Sequence, residues 1–195
     1  MLVLWRDNFS LDSEKLEETI EKVKTRKDCR VYEEENYSSY YVSGLFDRPE
    51  IVFLDDYSDV IHKFMKHVNL FDKTSFSFDH WMQVYTNVQS GHEEHDHFKS
   101  STFFSWVHFI RPTKNKCFYF TKHGGEKVYP EQNPGDFIVF PSWAKHGVDA
   151  NTEDVERVVI AGNIMVATIH TDFHTSEFIE VTDKTTIIET TRRDK

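Results

Sequence analysis

Six consecutive positions, His92, Glu93, Glu94, His95, Asp96 and His97, carry nothing but imidazole and carboxylate side chains. Both groups are ligands for first-row transition metals. The segment from Gly91 to Ile110 then runs on into an aromatic, β-prone stretch. In extended backbone alternate side chains share a face, so His95 and His97 project together and Asp96 the other way. Two imidazoles on one face suit a shared ion. Two other pairings stay open at this point: His92 with Glu94, and Glu93 with His95. A charged, solvated loop would look the same in isolation, and what argues against it is a second stretch downstream.

That stretch, Pro134 to Asn163, reads as turn, short strand, turn and strand. Pro134-Gly135 supplies the first turn and Phe137 to Phe140 a buried strand. Pro141-Ser142 then breaks the run and delivers one histidine, His146, back toward the first cluster. A third ligand from far along the chain closes a metal site. Three protein ligands on an octahedral ion leave positions for an organic chelator and dioxygen, the arrangement of non-haem iron oxygenases. Eleven residues on, Arg157 sits among Val155, Val158, Val159 and Ile160, and a guanidinium in so apolar a strand needs a carboxylate from the protein or from a ligand.

Other elements must hold these groups in place. Leu2 to Trp5 reads as an edge strand. Asp12 or Ser13 can cap a helix in which Leu16, Ile20 and Val23 form one apolar stripe ending near Lys27. Cys29 to Gly44 is polar and tyrosine-rich, and reads as a loop able to shape a pocket rim. A second helix, Ser58 to Leu70, carries Ile61, Phe64, Met65 and Val68 at helical spacing. His62 and His67 in it are five apart, a poor spacing for a shared ion. From Ser75 the pattern changes to strand: SFSFDHWMQVYTNV alternates, and further strands are expected at Ser101–Ile110, Lys116–Thr121, Phe137–Phe140, Val155–Val166 and Glu177–Val181. Turns separate them at Arg111-Pro112-Thr113, His123-Gly124-Gly125 and Asn133-Pro134-Gly135. Short strands without intervening helices predict a sandwich or barrel, mainly β within an α+β chain. One domain over 1–195 is expected, with 1–74 as helical N-terminal support and 75–181 as β-core. Thr190 to Lys195 should fray.

Composition excludes several classes. The 195 residues include 38% hydrophobic and 15% aromatic side chains, enough for a packed core. Thirty-three acidic against twenty-three basic residues leave a net charge of −10, which disfavours broad nucleic-acid binding. Two cysteines, Cys29 and Cys117, make no framework and suit a reducing compartment. Met1 to Ser10 does not read as a signal peptide and no apolar run approaches a membrane span. The expected setting is cytoplasmic, with no membrane partner.

Taken together these residues resemble the 2-oxoglutarate/Fe(II)-dependent oxygenases, in particular an uncharacterised branch with an H-x-H…H metal motif. His95-Asp96-His97 matches its first element and Ser105-Trp106-Val107-His108-Phe109 the strand that follows. Gly135-Asp136, Phe140-Pro141-Ser142-Trp143 and His146 match the third element, and Arg157 with Asn163 the last. The resemblance covers about Trp81 to Val166 and implies a double-stranded β-helix, or jelly roll, with N-terminal packing helices. It implies Fe(II) on His95, His97 and His146, with the cosubstrate 2-oxoglutarate held by Arg157 and Asn163. The implied reaction hydroxylates a small molecule or protein side chain and releases succinate and carbon dioxide.

The departures are specific. The superfamily at large has Asp or Glu where His97 stands, so the triad is all histidine. Trp106 replaces a glycine and is expected to narrow the pocket, and Val159 replaces a serine that often helps hold the cosubstrate. Two other classes compete: a cupin-like dioxygenase or isomerase that does not use 2-oxoglutarate, and a non-enzymatic binding protein. Cupins share Gly135-to-His146 spacing but add a Glu soon after H-x-H, and Phe98 to Thr102 contains none.

Overall fold

The computed structural model describes residues 3–31, 36–72, 74–86, 91–98, 101–169 and 186–188. Strand β1 (Trp5–Asn8) leads into helix α1 (Ser13–Thr25), whose N-cap Asp12 accepts the Lys15 amide at 2.9 Å. Its buried face is Thr19, Ile20 and Val23. The tyrosine-rich segment is less irregular than its sequence suggests: β2 (Arg30–Val31) and β3 (Asn36–Ser38) pair, and a 3-10 turn follows over Ser39–Tyr41.

Helix α2 (Leu54–His67) begins four residues before the expected Ser58 and ends three before Leu70. Asp55 and Asp56 in its first turn favour the early start, since carboxylates are stabilised at a helix N-terminus. Asn69 stops it, adopting the left-handed conformation at φ 56° that a helix cannot continue through. Tyr57, Val60, Ile61, Phe64 and Met65 form the buried stripe. His62 has its Nδ1 2.7 Å from the Ser58 carbonyl, a satisfied local contact.

The rest is strand: β4 (Thr74–Tyr85), β5 (His92–His95), β6 (Thr102–Arg111), β7 (Phe118–Thr121), β8 (Lys127–Val128), β9 (Asp136–Pro141), β10 (His146–Val148), β11 (Arg157–Ile169) and β12 (Thr186–Ile188). The larger sheet runs β1-β9-β6-β11-β4-β3-β2, with β12 also on β4, and the smaller runs β5-β10-β7-β8. Two sheets facing each other, every pairing antiparallel, are the expected jelly roll. The N-terminal segment supplies strands as well as helices. The expected strand at Glu177–Val181 and the tail from Thr190 lie outside the described residues. Among those described, no helix is long and apolar enough to cross a membrane.

The long strands sort their side chains by parity. Phe76, Phe78, Met82 and Val84 of β4, Val158, Ile160 and Ile164 of β11, and Phe137 and Val139 of β9 face a core shared with α1 and α2. Trp81, Tyr85, Val159, Ala161, Ile138 and Phe140 face a second core between the sheets, where Phe118 and Phe120 of the smaller sheet meet them. Burial on both faces accounts for the near-continuous apolar runs.

This parity also places Trp106, one of the cavity-lining residues. Trp106 is fully buried on the helix side, its ring 4.8 Å from Tyr57 and 5.1 Å from Phe137, so its bulk goes beneath α2. Its register partner is Gly162. A Cβ there would meet the Asp79 carbonyl oxygen at 2.0 Å and the Trp106 ring at 2.6 Å, so the space that glycine yields on one strand is used by tryptophan on the next.

Candidate metal centre

Strand β10 brings the two halves of the site together. Its His146 is in register with His95 of β5 and Phe120 of β7. His97 lies beyond the end of β5, and its amide donates to the Ser142 carbonyl at 2.8 Å, which ties the loop after β5 to the turn after β9. The imidazole centroids are 4.4 Å apart for His95 and His146, 4.9 Å for His95 and His97, and 5.1 Å for His97 and His146. One nitrogen from each can be chosen so that all lie within 4.8 Å of one another. This is the one such His, Cys, Asp or Glu group among the described residues.

The ring orientations are set by backbone carbonyls. His146 Nδ1 is 2.8 Å from the Ala144 oxygen and His95 Nδ1 is 2.9 Å from the Glu93 oxygen. Each contact calls for Nδ1–H as donor and leaves the Nε2 lone pair for an ion, the outer-shell arrangement typical of ligating histidines. His95 Nε2 and His97 Nε2 approach to 3.1 Å. Burial pushes His146 down to about 4, against a donated hydrogen bond to Ala144, so the ring is neutral at physiological pH. A neutral imidazole is the form that binds metal.

Neither carboxylate of the alternative pairings joins the group of His95, His97 and His146. Glu94 accepts from the Thr121 hydroxyl and lies 3.7 Å from Lys145 Nζ, on the outer side of the smaller sheet. Glu93 and His92 are exposed, and His92 stacks edge-on against His95 at 4.6 Å.

A cavity of about 400 Å³ opens beside the triad between the two sheets. Arg157, 1% exposed, lines it. Its guanidinium lies 4.6 Å over the Tyr85 ring, the residue opposite it in register, and its Nε and Nη1 have no hydrogen-bond partner. Among the described residues no acidic side chain forms the ion pair that would make Arg157 purely structural. Asn163 is six residues along the same face of β11. Its backbone N–H donates to an Asp79 carboxylate oxygen at 2.7 Å and its side-chain Oδ1 accepts from the Ser105 hydroxyl at 2.9 Å. Val159, in place of the expected serine, is buried in the cavity wall.

Two features of this wall were not singled out from the sequence. Asp79 appeared as one polar position in an alternating strand, yet it is a cavity-lining carboxyl that burial pushes up to about 6. Behind it Arg48 and Glu50 are buried. Arg48 donates to the carbonyls of His80 and Tyr40, and burial raises Glu50 to about 7 although the Ser39 hydroxyl donates to it at 2.5 Å. Alternation could have flagged Asp79, since it shares parity with Trp81, but no local pattern marks Arg48.

Residues 83–163 match the family described as "Putative 2OG-Fe(II) oxygenase". Among solved structures, a Pseudomonas putida prolyl-4-hydroxylase superposes with a TM-score of 0.58 at 12% identity, covering 84% of this chain and 92% of that one. The non-heme alpha-ketoglutarate-dependent epimerase SnoN of nogalamycin biosynthesis gives 0.61 at 12% identity, covering 82% and 76%. A collagen prolyl hydroxylase of Paramecium Bursaria Chlorella virus-1 gives 0.54 at 11% identity, covering 84% and 97%. No curated protein matches the chain. The matched segment is less than half of the chain but spans all three histidines and Arg157, and the solved structures share the chain's fold.

Proposed function

We propose that the chain is a 2-oxoglutarate- and Fe(II)-dependent hydroxylase in which His95, His97 and His146 hold the metal and Arg157 holds the cosubstrate's distal carboxylate. The observation that carries this reading is the buried guanidinium of Arg157, held over Tyr85 inside the cavity with two nitrogens unpartnered. A buried charge without a partner is costly, and a carboxylate ligand would relieve that cost. When bound, iron and 2-oxoglutarate would together activate dioxygen, one oxygen atom going into a substrate C–H bond and the other into succinate as carbon dioxide leaves. The chain's own part is to aim three Nε2 lone pairs, to anchor and orient the chelator from its far end, and to keep the cavity dry with Trp81, Phe118 and Phe140.

Asn163 was expected beside Arg157 at the cosubstrate. Six residues of strand separate them, roughly 20 Å at ~3.3 Å per residue. The reading therefore gives the distal carboxylate to Arg157 and leaves Asn163 to hold Asp79 and Ser105 in place. Residues 1–195 are taken as one domain acting in the cytoplasm on a small molecule or a protein side chain. A cupin-like enzyme would have no use for the unpaired guanidinium, and a non-enzymatic binding protein none for three converging lone pairs.

The test is metal stoichiometry and turnover on the purified protein. The wild type should bind about one Fe(II) per chain when loaded anaerobically and convert 2-oxoglutarate to succinate, while His146→Ala and His95→Ala should lose most of the metal. Unchanged metal content in both variants would refute the site. Metal binding without succinate would favour the cupin-like alternative.

A further inference from the structure

We infer that the substrate is an organic cation, an ammonium group on an apolar body, with Asp79 as its counter-ion and Trp81 and Tyr40 as its walls. This rests on the assignment of Arg157 to the cosubstrate. Among the cavity-lining residues Arg157 is the one guanidinium or ammonium group, and the carboxylates are Asp79 and Asp96. The side chains of one strand face place the poles apart: Tyr85 opposes Arg157, and Asp79 opposes Asn163, with Trp81 and Gln83 between them. At roughly 20 Å along the strand Arg157 cannot serve as partner to Asp79. The centre lies toward the Asp79 end, since the Trp81 and His97 rings are 6.3 Å apart and Phe140, level with Ser105 and Asn163, has its ring 5.0 Å from that of His146. Cosubstrate on the Arg157 side therefore leaves the Asp79 side for substrate.

That side has the chemistry of a cation site. Asp79 is 9% exposed, and one of its oxygens accepts the Asn163 amide. Arg48 lies behind it, but both Nη groups of Arg48 donate to carbonyls and Glu50 shares its charge. Trp81 presents its ring to the cavity, Tyr40 packs edge-on against it at 5.2 Å, and Tyr41 against Tyr40 at 5.5 Å, so aromatic faces run from the half-exposed rim inward. Aromatic faces attract cations electrostatically, and do so more strongly when desolvated. Exposed Glu93 and Asp96 beside the triad and the net charge of −10 favour a cation's approach. A cavity of about 400 Å³ admits a small molecule or one long side chain.

The experiment uses the full chain loaded with Mn(II) and saturated with 2-oxoglutarate, titrated by calorimetry with n-hexylammonium and with 1-hexanol. The two probes share shape and differ in charge. The ammonium should bind the wild type at least about tenfold more tightly, as expected for a charge-assisted, part-desolvated contact. Asp79→Asn should bring the two probes to within about twofold of each other while 2-oxoglutarate affinity stays the same. Equal affinity of ammonium and alcohol for the wild type overturns the inference, whether or not the variant folds. If 2-oxoglutarate binds normally in those samples, the oxygenase reading survives that result. Failure of 2-oxoglutarate to bind overturns both. A preference for ammonium that persists in a folded Asp79→Asn protein removes Asp79 as the counter-ion and also overturns the assignment.

Discussion

The Arg157 guanidinium lies over the Tyr85 ring, 4.6 Å from its centroid, and the two residues are directly opposed on β11 and β4. The ring holds the cation in place without neutralising it, so the charge stays available to a ligand. Such a contact is worth about 0.5–2 kcal/mol. Tyr85→Leu should therefore weaken 2-oxoglutarate binding by roughly 2- to 30-fold with metal stoichiometry unchanged, whereas Tyr85→Phe, which keeps the ring, should stay near wild type. Calorimetric titration of the metal-loaded variants separates the two. Equal losses in Phe and Leu would put the effect on the Tyr85 hydroxyl, which donates to Gln83 at 3.0 Å.

Gly162 should tolerate no side chain. A Cβ there meets backbone oxygen and an immobile indole, in the middle of the largest sheet and under a fully buried tryptophan. Overpacking costs typically 1–3 kcal/mol, and contact with rigid backbone puts Gly162→Ala at about 3 kcal/mol or more. Urea unfolding of the variant, or its failure to accumulate folded, checks this. A loss under about 0.5 kcal/mol would mean that the β6–β11–β4 register is wrong.

Glu50 gives a pH signature. Burial raises its carboxyl from 4.5 to about 7, so the folded chain retains a proton that the unfolded chain releases at lower pH. The stability this lends is complete below pH 4.5 and is lost as pH rises through 7. Glu50→Gln cannot ionise and keeps an acceptor for the Ser39 hydroxyl. It should be more stable than wild type at pH 8 by roughly 1–3 kcal/mol, and equal to it near pH 4.5. His108 acts in the opposite sense: burial lowers it to about 4, so stability falls as pH drops from 6.5 toward 4. Because His108 is common to both proteins, it cancels in their difference. A pH-independent difference in urea unfolding would contradict the buried, raised carboxyl.

The sequence carried most of the proposed ligand set because the chemistry is local. Two histidines at alternate positions share a face in any extended chain, and Pro141-Ser142 marks the break that returns His146. Strand positions were equally legible, since β-branched and aromatic runs between Gly and Pro turns have few other readings. Register was not legible. Trp106 could be assigned a direction only once its partner, Gly162, was known, and Asp79 became a cavity residue only because Asn163 lies opposite it. The start of α2 was misplaced because Phe53 offers no side-chain cap to read. The burial of Arg48 and Glu50 depends on Ser39, His80 and Tyr40, contacts that local pattern cannot anticipate.

The central claim is that Arg157 recognises 2-oxoglutarate, and anaerobic titration of the Fe(II)-loaded protein tests it most directly. Chelation should produce a metal-to-ligand charge-transfer band whose growth reports affinity. Arg157→Met should keep its metal, since Arg157 is not a ligand, and lose at least about tenfold in affinity with the charge-assisted contact; Arg157→Lys should restore little, because an ammonium lacks the planar fork. The same affinity in wild type and Arg157→Met, or no band in either, would contradict the account.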